Sequence, residues 1–114
     1  MTLEQFELEV TSACAQSPAV AGVSTLGVGV TWITLRAYLF DGSFVDAFHN
    51  PATGKTAFAL IKAERRIFGA DNTGGWHWHP VDKPESHVPT SKAVTFTEFL
   101  GQIEALLKAA PSSG

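Results

Sequence analysis

Between Ile33 and Phe48 apolar and polar residues alternate on either side of an Asp41-Gly42 step, and this period of two commits the segment to a β-hairpin. Ile33, Leu35, Ala37 and Leu39 fall on one face of the first strand, with Trp32, Arg36, Tyr38 and Phe40 on the other. Asp-Gly between two such runs is the signal of a two-residue type I′ turn. Counting outward from it pairs Phe40 with Ser43, Leu39 with Phe44, Ala37 with Asp46 and Leu35 with Phe48. That register predicts a buried face of Leu35, Leu39, Phe44 and Phe48, and a reverse face carrying Arg36, Tyr38, Val45 and His49.

The rest of the chain extends this hairpin into a meander. Residues 19–30 read as a strand bent by Gly22, Gly27 and Gly29; Thr56–Lys62 and Arg66–Asp71 read as two more, reversing near Ala63-Glu64. Thr2 with Gln5, and Thr95 with Glu98, are capping boxes that open a helix at each end. The first helix carries an apolar stripe of Leu3, Phe6, Val10, Ala13 and Cys14 and stops before Pro18. The second carries Phe96, Phe99, Leu100, Ile103, Leu106 and Leu107. The predicted fold is α+β: one domain over residues 1–114, a curved antiparallel meander of about five strands, and both helices packed on one face. Residues 110–114 read as a frayed tail, and residues 72–92, with Gly74-Gly75, Pro80, Pro84 and Pro89, as an ordered loop without regular structure.

Composition excludes several classes. Apolar residues at 45%, with eight Phe and three Trp, exclude disorder. A single cysteine, Cys14, excludes a disulfide framework and a cysteine-only zinc site, and its place on the apolar stripe makes it a core thiol. No apolar run reaches the roughly 18 residues of a membrane span. Glu4, Glu7 and Glu9 without Lys or Arg argue against a signal peptide, so the expectation is a cytoplasmic protein with no membrane partner. The net charge of −3 argues against a surface that coats nucleic acid. Yet Lys55, Lys62, Arg65, Arg66, Lys83 and Lys92 all fall within residues 55–92, which leaves room for a local cationic cleft.

The same block holds His77, His79 and His87, in Asp71-Asn72-Thr73-Gly74-Gly75-Trp76-His77-Trp78-His79-Pro80 and beyond. In an extended backbone His77 and His79 project together while Trp76 and Trp78 turn away, and Asp71 can orient one imidazole. Three chemistries fit. In metal-independent RNA cleavage, one neutral and one charged histidine serve as base and acid, and Arg66, Arg36, Arg65 or Lys62 binds phosphate. Tyr38 lies on the same face as Arg36, and Trp76 and Trp78 could stack a base. No cofactor enters that chemistry. In the second, His77, His79, His87 and Asp71 hold zinc or manganese. In the third the histidines only bond an irregular backbone, and the chain is an interaction domain pairing through its sheet edges with a partner or a second copy. His49 reads as structural or surface.

The series Leu39-Phe40-Asp41-Gly42-Ser43, an aromatic strand, Arg66-Ile67-Phe68-Gly69-Ala70-Asp71-Asn72, then His77, His79 and His87 before an amphipathic helix, resembles the TumE family across residues 31 to 107. These are small toxins of type II toxin–antitoxin systems, encoded beside helix-turn-helix antitoxins. The resemblance implies a toxin-like role and such an antitoxin as partner, with Asp71, Asn72, His77, His79 and His87 at the matching positions.

Overall fold

A computed structural model of the chain describes residues 1–83 and 85–109; the predicted tail at 110–114 lies outside the described residues. Helix α1 (Leu3–Gln16) starts where the Thr2 hydroxyl accepts from the Gln5 amide at 3.1 Å and the Gln5 side chain accepts from the Thr2 amide at 2.8 Å. Among the described residues seven strands follow: β1 (Val20–Val28), β2 (Ile33–Leu39), β3 (Phe44–Asn50), β4 (Lys55–Lys62), β5 (Arg65–Asp71), β6 (His77–His79) and β7 (Val88–Pro89). They form one antiparallel sheet whose spatial order is the chain order. Helix α2 (Phe96–Ala109) is capped by Thr95, whose hydroxyl accepts from the Glu98 amide at 3.0 Å. The fold is α+β with a curved sheet, as alternation and capping predicted. No helix among the described residues is long and apolar enough to cross a membrane.

One face of the sheet makes the core. Leu35 and Ala37 of β2, Val45 and Ala47 of β3, Phe58 of β4, and Phe68 and Ala70 of β5 pack against Phe6, Val10 and Cys14 of α1 and Phe96, Phe99, Leu100 and Ile103 of α2. Glu9 of α1 also accepts the Phe96 amide at 3.0 Å, placing a carboxylate at the positive end of α2. Burial pushes the Cys14 thiol up to about 11, consistent with an inert core position. Leu106 and Leu107, predicted on the apolar stripe, are instead more than a third exposed, because α2 runs past the core there.

The β2–β3 register departs from prediction by one residue: Tyr38 faces Phe44, Ala37 faces Val45 and Leu35 faces Ala47. The turn is the cause. The Leu39 amide donates to the Ser43 carbonyl at 2.9 Å and the Gly42 amide to the Leu39 carbonyl at 3.2 Å, which closes a three-residue loop. Only Gly42 of the Asp-Gly pair has positive φ, whereas a type I′ turn needs two such residues. Asp41 turns back instead to accept from the Ser43 amide and hydroxyl. A one-residue slip exchanges the faces of β3, so Val45 and His49 turn inward while Phe44 and Phe48 turn outward. His49 is therefore structural: it stacks on Phe6, with Nδ1 2.7 Å from the Thr56 hydroxyl and Nε2 2.9 Å from the Met1 carbonyl.

The segment at residues 72–92 is also more regular than predicted, since it supplies β6 and β7. Pro80 stands just after β6, and Pro89 sits in the edge strand, where the missing N–H costs little.

Between β4 and β5 the reversal does take the two-residue primed form, with Ala63 at φ 52° and Glu64 at φ 64°. Neither residue favours that region. Replacing the pair with Asn-Gly (A63N/E64G) raises unfolding free energy by about 1 kcal/mol, seen as a higher urea midpoint at unchanged slope.

Candidate functional site

The site is built by the pairing of β5 with β6. Gly69 faces His79, Ala70 faces Trp78 and Asp71 faces His77. Alternation sends Ala70 and Trp78 into the core and leaves Asp71, His77 and His79 on the opposite face of the sheet. Trp78 stacks on Phe68 at 5.6 Å and Phe99 at 6.1 Å, and Trp76 on Phe58 at 6.1 Å. The two tryptophans therefore anchor β6 from beneath and are not the base-stacking surface the sequence suggested.

His79, only 2% exposed, has Nε2 2.9 Å from Asp71 Oδ2 and Nδ1 3.1 Å from the Ser86 carbonyl. His77 has Nε2 3.3 Å from Asp71 Oδ1 and Nδ1 3.0 Å from the Gly75 carbonyl. His87 is exposed, and its ring lies 4.7 Å from that of His77 and 4.6 Å from that of His79. One candidate ligand atom from each of the three imidazoles falls within 4.8 Å of the others. Together with Arg66, Asp71 and Thr73 they line a cleft of about 320 Å³. Arg66 reaches it by crossing Gly69: a Cβ there would meet the Arg66 Cδ at 3.2 Å and the Phe58 carbonyl at 3.1 Å.

Arg36 and Tyr38 do not join the cluster. Arg36 is paired with Asp46 through contacts of 2.7 and 3.0 Å and lies over the Phe44 ring at 3.8 Å. Through the register Arg36–Asp46–Ala59–Gly69–His79 it stands four strands from the histidines, about 19 Å at the usual strand spacing. The Tyr38 hydroxyl bonds Ser24 at 3.2 Å. Conversely, the Ser86 and Gly75 carbonyls and the gap at Gly69 escaped sequence reading, because backbone acceptors have no side-chain signature.

Hydrogen-bond chemistry constrains the cluster further. A carbonyl only accepts, so Nδ1 of both His77 and His79 carries the proton. Both Nε2 atoms then face one carboxylate, which also only accepts when ionised. Burial alone would push Asp71 up, but the His79 hydrogen bond, the Thr73 amide and the charges of His77 and His79 outweigh it and hold the carboxyl below its usual range. A bare Nε2 lone pair against that carboxylate would be repulsive. A proton on each Nε2, or a metal ion bound by the Nε2 lone pairs with Asp71 beside it, removes that repulsion.

No family model matches the chain, and neither a curated protein nor a solved structure matches it. Function is then argued from the chemistry of the site.

Because Asp71 is held below its usual range, its stabilising effect is full above the ordinary carboxylate value, near 4, and is lost as pH falls below it. In chelator, D71N costs about 1 kcal/mol at pH 7, and the gap to wild type narrows below about pH 4, measured by urea unfolding across pH.

Proposed function

We propose that His77, His79 and His87 form a mononuclear transition-metal centre with Asp71 beside it, and that the protein is a metal-dependent hydrolase. The carrying observation is the convergence of three imidazole ligand atoms within 4.8 Å. Two of the rings are already fixed by Nδ1–H bonds to backbone carbonyls, the outer support that metal-binding histidines require. Three imidazoles suit zinc, since manganese prefers more oxygen ligands. Three protein ligands with a position left open are the pattern of catalytic rather than structural zinc. Bound there, the metal supplies a Lewis acid and an activated water near neutral pH. Asp71 accepts a proton or holds the ligands in line, and Arg66 offers a cation to an anionic substrate. The toxin-like role and the helix-turn-helix partner enter this reading through the resemblance of residues 31 to 107.

A second reading, metal-independent cleavage of RNA, is favoured by the 2.9 Å contact between His79 and Asp71. There a protonated His79 is the acid and the exposed His87 the base.

Calorimetric titration separates the two. The metal reading expects one zinc per chain, at least about tenfold weaker in H77A, H79A or H87A, and hydrolysis of bis(p-nitrophenyl) phosphate that stops on chelation. Absence of stoichiometric zinc or manganese, with RNA cleaved in the presence of chelator, replaces it with the second reading.

A further inference from the structure

The cleft does not end at Asp71. Thr73, whose amide donates to Asp71 Oδ1 at 3.0 Å, also lines an adjoining cleft of about 430 Å³ with Thr53, Gly54, Lys55, Asn72 and Gly74. Asn72 fixes that second wall. Its Oδ1 accepts the Thr56 amide at 2.9 Å and its Nδ2 donates to the Gly54 carbonyl at 2.7 Å, binding the turn after β3 to the turn after β5. The two lobes thus meet at Thr73 and make one polar track along the sheet.

Charge along this track has one sign at its ends. Arg66 lines the first lobe and Lys55 the second; among the described residues no carboxylate lines the second lobe, and Asp71 in the first contacts His77, His79 and the Thr73 amide. Along β5 the order runs from Arg66 to Gly69 opposite His79, to Asp71 opposite His77, and then to Thr73 beside Lys55. The two cations thus line different lobes. They can hold different phosphates of one chain, with the histidine cluster between them.

Resting on the hydrolase reading above, we infer that the two-lobed track from Arg66 through the histidines to Lys55 binds a single-stranded phosphodiester chain. A metal centre acts on phosphoryl oxygen readily. The chain's overall charge of −3 confines such binding to this track, so affinity is modest and strongly dependent on salt.

The test uses the full chain loaded with zinc and ten-nucleotide fluorescent RNA and DNA strands, with anisotropy followed from low to high sodium chloride. Each phosphate contact on a single strand contributes about 0.7 to the slope of log affinity against log salt. R66A and K55A are each expected to lower the slope by about that amount, and K55E to weaken binding further than K55A. Binding of either strand supports the assignment, and the preferred strand names its source. If wild type binds zinc yet neither strand, or if the slope is unchanged in both R66A and K55A, the inference falls while the metal centre stands. Equal competition by polyglutamate also overturns it, because the track would then be a general polyanion site. Failure of wild type to bind metal instead removes the hydrolase reading on which the inference rests.

Discussion

The pairing of three residues, His77 to His79, against Gly69 to Asp71 is the contact on which the site depends. Strand β6 is preceded by Gly74-Gly75, both at positive φ, and followed by Pro80, so little in its own neighbourhood favours extension. What holds it is beneath it. Trp76 and Trp78, each partly buried, pack against Phe58, Phe68 and Phe99 of the core. The side-chain period of two then converts that inward burial into an outward placement of His77 and His79. Core packing on one face thereby fixes the chemistry on the other.

This division works because both helices cover the same face. With α1 and α2 gathered on the core side, tied by Glu9 and the Phe96 amide, neither helix covers the opposite face of the sheet. That face is not uniform. Across the middle strands it carries small residues, Ala57 and Ala59 of β4 and Gly69 of β5, between the Arg36–Asp46 pair and the histidines. The absence of a Cβ at Gly69 lets Arg66 lie across β5 toward the cleft, since a Cβ there would crowd the Arg66 Cδ at 3.2 Å and the Phe58 carbonyl at 3.1 Å.

Much of this was legible in the sequence, and the failures share a physical cause. Capping boxes at Thr2 and Thr95 and the alternation of β2, β4 and β5 are local signals, and both helices and the meander followed from them. The inference that His77 and His79 share a face while the tryptophans turn away was also local. The β2–β3 register was not, because Asp41 uses its side chain to recruit Ser43, and that bond outcompetes the turn its dipeptide favours. Strands β6 and β7 were missed because prolines and glycines forbid long strands but not short ones at an edge. Arg36 looked like a phosphate ligand until pairing with β3 set Asp46 directly opposite. Cross-strand partners, unlike alternation, depend on register and so inherit any error in the turn.

The three imidazoles are not independent of one another. His79 Nδ1 bonds the Ser86 carbonyl, and Ser86 immediately precedes His87, so the buried ring positions the backbone that carries the exposed one. Its Nε2 meets Asp71, which is shared with His77. Removing His79 would therefore withdraw one candidate ligand, loosen a second and leave the carboxylate with fewer partners. Removing His87 would take away one ring and leave the His77–Asp71–His79 arrangement intact. Such a network is strongly non-additive: His79 is the central element, and the order of importance runs from the most buried imidazole to the most exposed. That ordering holds whether the imidazoles carry protons or a metal ion, since it arises from the backbone bond that places His87.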